Sequence, residues 1–316
     1  MEWAELSRTP EIRSLFISEA DLLLSSFAHQ NQLVNSAWKN LDAKGWPAFS
    51  KMIGWLSGTL GLDRVPIPLL GEGYFTSSLD LEQFQAEAPH FYLVSADAFD
   101  ESFYWPLMAH ELAHCKFNET SHVKTVLREV RKKGLDRKLG AQVCQRRLEQ
   151  VLCDIVATRL LGPGFAFSFA QRLEPVFSYP LPVDEPSFQL RLECIASTLD
   201  DAELTDSART IRSTVQAQFE TDWNDDPLAS LKPTLIRRCE DLPLLISKEK
   251  YETSIKASSS LLSQLLSSDP VMLFQTAWLS IMNHDFPNLG FLTELSESIM
   301  TSLERLSRPV DASAQI

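Results

Sequence analysis

Apolar residues recur at intervals of three and four between Glu11 and about Leu41, where Ile12, Leu15, Phe16, Ala20, Leu23, Leu24 and Phe27 fall on one stripe, so this stretch is expected to be an amphipathic helix. A second helix is predicted from Trp46 to Leu60, with Trp46, Met52, Ile53, Trp55 and Leu56 inward. Pro66, Pro68 and the run Gly71-Glu72-Gly73 then break the pattern and leave room only for short extended pieces. Phe91 to Ala96, FYLVSA, is rich in aromatic and β-branched residues and bounded by Pro89 and a turn at Asp97 to Asp100, which predicts a strand. An apolar helical run opens near Phe103. Further helices are expected over 123–133 and 138–161, the second stopped by Gly162-Pro163-Gly164. Beyond Pro186 the periodicity predicts helix after helix, over 187–199, 207–222, 229–246, 251–267, 270–283 and 289–307.

The expected fold is mainly α (α+β), with short strands ahead of the helical run at Phe103 and additional C-terminal helices. The chain divides into an N-terminal helical segment over 1–70 packed on a core over 71–222, a C-terminal helical region over 223–307, and a small, polar, flexible tail over 308–316. The stretch ETDWNDDP, Glu220 to Pro227, marks the boundary between core and C-terminal region.

Composition narrows the function classes. Hydrophobic residues at 44% and charged residues at 22% are ordinary globular proportions. A net charge of −13 disfavours nucleic acid as a partner, because phosphate recognition needs clustered Lys and Arg. The basic positions between Lys124 and Arg147 are spaced as the solvated face of helices. The five cysteines include no close CxxC pair, and the N-terminus shows no basic stretch leading into an apolar run. A reduced, cytoplasmic setting is expected, and no apolar run is long enough to predict a membrane span.

The chemistry concentrates in WPLMAHELAHCKF, Trp105 to Phe117. Residues four apart share a helix face, so His110 and His114 can present two imidazoles to one ion. Glu111 projects about 100° around the axis from His110, where a carboxylate can take a proton from water held by that ion. Two core histidines on a buried helix are the plainer alternative. They would leave three ionisable groups among Leu107, Met108, Ala109, Leu112 and Ala113 with nothing to offset desolvation, and a cation would supply the offset. Zinc also needs a third protein ligand. On the later helix Asp154 is the one polar residue other than Cys153 between Val151 and Ala157, so it is expected to be buried and paired. Cys115 and Cys153 themselves read as small buried hydrophobes.

HELAH, followed after a spacer by a helix of the form E-x-x-x-x-D-x-x-A and then by LLGP, resembles the gluzincin branch of zinc metallopeptidases, in particular bacterial HExxH proteins. The resemblance covers about Phe91 to Arg191. It implies a zincin-like core, a Zn²⁺ cofactor, water activated by Glu111, and a peptide or protein as substrate. It also implies that the strand before the HExxH helix, here FYLVSA, forms the rim of the cleft and binds substrate backbone. Two departures stand out. Gluzincins commonly place the ligand glutamate four residues before the aspartate, where this chain has Gln150, and Glu149 lies one residue earlier. Glu149 and Asp154 point about 140° apart on a regular helix. The third ligand is therefore either Glu149 with Asp154 as the brace, or Asp154 itself. Downstream, the family's His-Pro pair followed by Arg corresponds to Glu185-Pro186 and Arg191, with the histidine missing. Oxyanion stabilisation would then fall to Tyr179, Tyr104 or Arg191. Both departures also fit a non-catalytic, zinc-stabilised helical module that binds a protein partner.

Overall fold

The computed structural model describes residues 45–63, 67–71, 76–79, 91–95, 101–119, 122–173, 186–218, 226–258, 269–284 and 287–305. The expected helix from Glu11 to Leu41, Tyr179 and the tail over 308–316 lie outside them. The described part is mainly helical. None of its helices is long and apolar enough to cross a membrane.

Helix α1, Trp46–Leu60, leads to strands β1, Ile67–Gly71, β2, Thr76–Leu79, and β3, Phe91–Ser95. The strands form one sheet in the order β1-β3-β2, with β1 parallel and β2 antiparallel to β3. FYLVS is thus the central strand, and its backbone is paired on both sides. Any chain added to this sheet would have to join at β1 or β2, and β2 is the strand that lies against the next helix, α2, Met108–Glu119.

A 3₁₀ turn, Ser102–Leu107, delivers the chain into α2 and is held from three directions. Trp278 Nε1 donates to Phe103 O at 2.8 Å, Ser168 Oγ to the same oxygen at 3.1 Å, and Ser102 Oγ to Ser296 O at 3.0 Å. Trp105, fully buried, meets the ring of Phe49 edge-on at 5.0 Å. The entry to the histidine-bearing helix is therefore fixed by α1 and by residues near the end of the chain.

Helices α3, His122–Lys132, and α4, Leu135–Leu139, lead to α5, Ala141–Leu161. Gly140, at φ 84°, separates α4 from α5, which splits the single helix expected over 138–161. From Val151 to Leu161 every residue of α5 is buried, because this helix runs through the centre and touches α2 on one side and later helices on the other.

The expected stop at Gly162-Pro163-Gly164 is a joint rather than an end: Pro163 opens α6, Pro163–Leu173, a helix the periodicity did not predict. Proline at a first helical position loses no hydrogen bond, so it can start a helix as readily as stop one. A Cβ on Gly162 would come within 2.7 Å of Ile246 Cγ2, and one on Gly164 within 2.9 Å of Phe274 Cβ.

Helix α7, Phe188–Asp201, is capped by Ser187, whose hydroxyl accepts from Leu190 N at 3.3 Å. Then follow α8, Thr205–Gln218, a 3₁₀ turn Ala229–Leu231, α9, Lys232–Arg237, α10, Lys248–Ser258, α11, Pro270–Met282, and α12, Leu289–Glu304. The helix expected over 229–246 stops at Arg237. Pro243 disfavours helical geometry at the residue before it. The segment instead runs beside the end of α5, with Leu245 N on Arg159 O and Arg159 Nη2 on Glu240 O and Leu242 O. The buried apolar residues from Ala48 to Leu303 form one cluster, to which helices before and after ETDWNDDP both contribute.

Glu193 ties three of these helices together. Its carboxylate accepts from Arg212 Nε at 3.0 Å on α8 and from Lys232 Nζ at 2.8 Å on α9. Burial would raise its pKa, but the hydrogen bonds from Arg212 and Lys232 outweigh that and hold it below the ordinary value. A depressed carboxyl contributes stability above its unfolded pKa of ~4.3 and loses it as pH falls through the folded value. Glu193→Gln should therefore cost ~1 kcal/mol at neutral pH, after allowance for the part-exposed Arg212. Urea midpoints should show the gap from the parent closing as pH drops below ~4, and a gap independent of pH would count against this linkage.

Candidate metal centre

Helices α2 and α5 pack face to face, and the polar residues of each meet at that contact. His110 and His114 stand one turn apart on α2, with ring centroids 4.9 Å apart and planes at 76°. Opposite them α5 offers Glu149, Gln150, Cys153 and Asp154, whose spacings of three and four put them on adjoining strips of one helix side.

Each imidazole has a carboxylate on its Nδ1. Asp154 Oδ1 is 2.8 Å from His110 Nδ1, and Glu149 Oε1 is 2.8 Å from His114 Nδ1. An ionised carboxylate only accepts, so each Nδ1 carries the proton and donates. That choice of tautomer leaves the two Nε2 atoms facing each other at 3.2 Å. Nitrogens bound at ~2.0–2.1 Å around a tetrahedral ion stand ~3.3 Å apart, so the pair has the spread of two ligands sharing one ion. Gln150 Oε1 lies on the same side, 3.0 Å from His110 Nε2.

Asp154, fully buried, is held a second time by Arg191 from the first turn of α7. Arg191 Nε donates to Oδ2 at 2.6 Å and Nη2 to Oδ1 at 2.9 Å, and the guanidinium lies 4.6 Å from the centroid of Phe169. Burial would raise the Asp154 pKa, but the Arg191 charge and His110 outweigh it and keep the carboxyl below its ordinary range. For His114 burial works downward and is outweighed by the Glu149 hydrogen bond and the Glu111 charge, so its pKa is raised. Glu111 is half-buried, and its charge acts on both His114 and Cys153. The wall of the site is dry, with Cys153 and Asp154 at 0% exposure, while His114 and Glu149 keep 15% and 20% of their side chains open.

The structure thus brings together His110, Glu111, His114, Glu149, Asp154 and Arg191 from the expected set. Neither carboxylate proposed as third ligand faces the shared Nε2 side, because both are on the outer nitrogens. Arg191 directs two donors at Asp154. Tyr104 is engaged by Phe103, Trp278 and Arg172.

Two further residues stand at the imidazole pair: Gln150, an amide at the position where the resemblance implies a ligand carboxylate, and Cys153, expected as a small buried hydrophobe. Cys153 forms with His110 and His114 a group whose donor atoms lie within 4.8 Å of one another and which can hold a metal ion. Its thiol pKa is pushed well up, first by burial and then by Glu149, Asp154 and Glu111. The signal for both was available in the spacing: Gln150 and Cys153 are three apart, and Gln150 and Asp154 four, on the helix side that bears the brace.

Three carboxylates, Glu111, Glu149 and Asp154, oppose one guanidinium, Arg191. With neutral imidazoles the cluster carries a charge of about −2, which suits a divalent cation. No family model, curated protein or solved structure matches this chain, and its chemistry rests on the geometry of these residues.

Proposed function

We propose that the protein is a zinc-dependent hydrolase, a peptidase of gluzincin-like character on a zincin-like core, with the ion held by Nε2 of His110 and His114. The observation that carries this reading is the 3.2 Å approach of those two atoms with each opposite nitrogen committed to a carboxylate. Zinc there would supply Lewis acidity to a carbonyl and to water. Glu111, partly exposed and with its charge acting on His114, is the proton acceptor and then the donor to the leaving amine. Asp154 and Glu149 orient the imidazoles, and Arg191 fixes Asp154 in turn, which makes these three positioning residues. A peptide is favoured as substrate by the edge strand β2 beside α2, where an extended chain can add by backbone hydrogen bonding.

The position of Gln150 supports a second reading, a zinc-stabilised module without turnover, since a neutral amide stands where a gluzincin-like site has its ligand carboxylate. Metal analysis combined with hydrolysis of unfolded protein and peptide libraries separates the two. The expected result is one zinc per chain, turnover abolished by a chelator, and recovery on adding zinc back. Zinc without turnover selects the second reading. Metal-free protein whose melting temperature ignores the chelator removes both.

A further inference from the structure

We propose that Cys153 Sγ is the third protein ligand of the ion held by His110 and His114, giving the centre a His₂Cys donor set in place of a carboxylate ligand. This rests on the metal locus of the preceding reading and is independent of its hydrolytic part.

Four residues of α5 face the imidazole pair, and two of them are committed elsewhere. Glu149 is on His114 Nδ1, and Asp154 is shared between His110 Nδ1 and both donors of Arg191. Swinging Asp154 toward the ion would break both of its hydrogen bonds to the buried Arg191 guanidinium. Gln150 and Cys153 remain. An amide oxygen is a neutral, hard donor of the kind that suits magnesium, calcium or manganese, whereas two imidazoles and a thiolate suit zinc.

The distances allow the sulfur in. Its separation from a nitrogen of each ring is no more than 4.8 Å. A tetrahedral centre with ~2.3 Å to sulfur and ~2.0–2.1 Å to nitrogen needs ~3.6 Å. From the 4.8 Å bound, the closure needed is at most ~1.2 Å to whichever ring nitrogen is nearer, within reach of a side-chain adjustment. Cys153 is also completely buried in anionic surroundings, with Glu149, Asp154 and Glu111 acting on it and Arg191 as the opposing charge. A divalent cation against the sulfur would balance them. On binding, the S–H bond breaks, the sulfur keeps the electron pair as the donor to the ion, and the proton leaves to solvent. Cys115, Cys144, Cys194 and Cys239, equally buried, fall outside the His110–His114 group.

Zinc-edge X-ray absorption on the full-length chain tests this without any substitution. The expected result is one sulfur scatterer at ~2.3 Å beside nitrogen at ~2.0 Å. The cobalt-loaded chain should show a thiolate-to-metal charge-transfer band in the near ultraviolet. Cys153→Ser should remove that band and weaken metal binding by more than the roughly 10–100-fold typical of losing an outer partner. Cys144→Ala and Gln150→Ala should both keep the band. If Cys153→Ser fails to fold, the absorption edge of the parent protein still decides. Stoichiometric metal with only nitrogen and oxygen scatterers overturns the cysteine ligand and leaves the two-imidazole site standing. Absence of bound metal overturns both.

Discussion

Glu111→Gln is expected to keep one zinc per chain and an unchanged melting temperature while kcat falls by ~10²–10⁴-fold, the range attributed to a positioned proton-transfer group. The substitution conserves shape and removes the capacity to take a proton, together with one of the three carboxylate charges around the imidazoles. Glu111 lies in the first turn of α2, where glutamine keeps the side-chain length and the helical backbone. The Glu111 charge reaches His114, whose side chain keeps 15% exposure. A loss confined to KM would assign Glu111 to substrate binding. Full turnover in a zinc-replete Glu111→Gln protein would sink the proposed mechanism.

The second large effect is structural. Asp154→Asn removes the charge that two donors of the buried Arg191 meet, and removing one partner from a buried pair costs ~3–5 kcal/mol. The asparagine can still meet His110, so most of the cost belongs to the guanidinium. The arginine's own removal tells the two apart. In a double-mutant cycle Asp154→Asn with Arg191→Met should be far less damaging than the sum of the singles, because the guanidinium charge is gone. Denaturation in the presence of a chelator isolates this contribution. In its absence zinc affinity should also drop by roughly 10–100-fold, through loss of the brace on His110. Additive single effects would mean that Arg191 and Asp154 are not a coupled unit.

The helices were legible wherever an apolar stripe ran uninterrupted, as in Trp46–Leu60 and Pro270–Met282. One residue can admit two uses. Pro163 can close a helix or open one, and here it opens α6, with Ile246 packed against Gly162 and Phe274 against Gly164. The stripe expected over 229–246 gives way to a turn at Arg238, well before Pro243, and Leu242 to Leu245 run beside α5 instead. The strand order was invisible because pairing is a long-range matter, so FYLVS, strongest in β propensity, took the centre of the sheet rather than its edge. At the site, spacing alone placed His110 and His114 on one face. It was silent on which ring nitrogen faces which neighbour. A rotation of about 140° between Glu149 and Asp154 looked like a conflict for a single ion, but it resolves once each carboxylate serves a different histidine.

The glycines at 162 and 164 have a bearing on the order in which the protein is made. They sit at the end of the helix that carries Glu149, Gln150, Cys153 and Asp154, and what closes over them, Ile246 and Phe274, is synthesised long afterwards. The turn that launches the histidine helix likewise waits for Trp278 and Ser296. A nascent chain on the ribosome therefore carries every residue of the cluster well before it has the neighbours that hold them in register. The cluster closes only once α11 and α12 have emerged, and until then its histidines and thiol belong to an unfinished core.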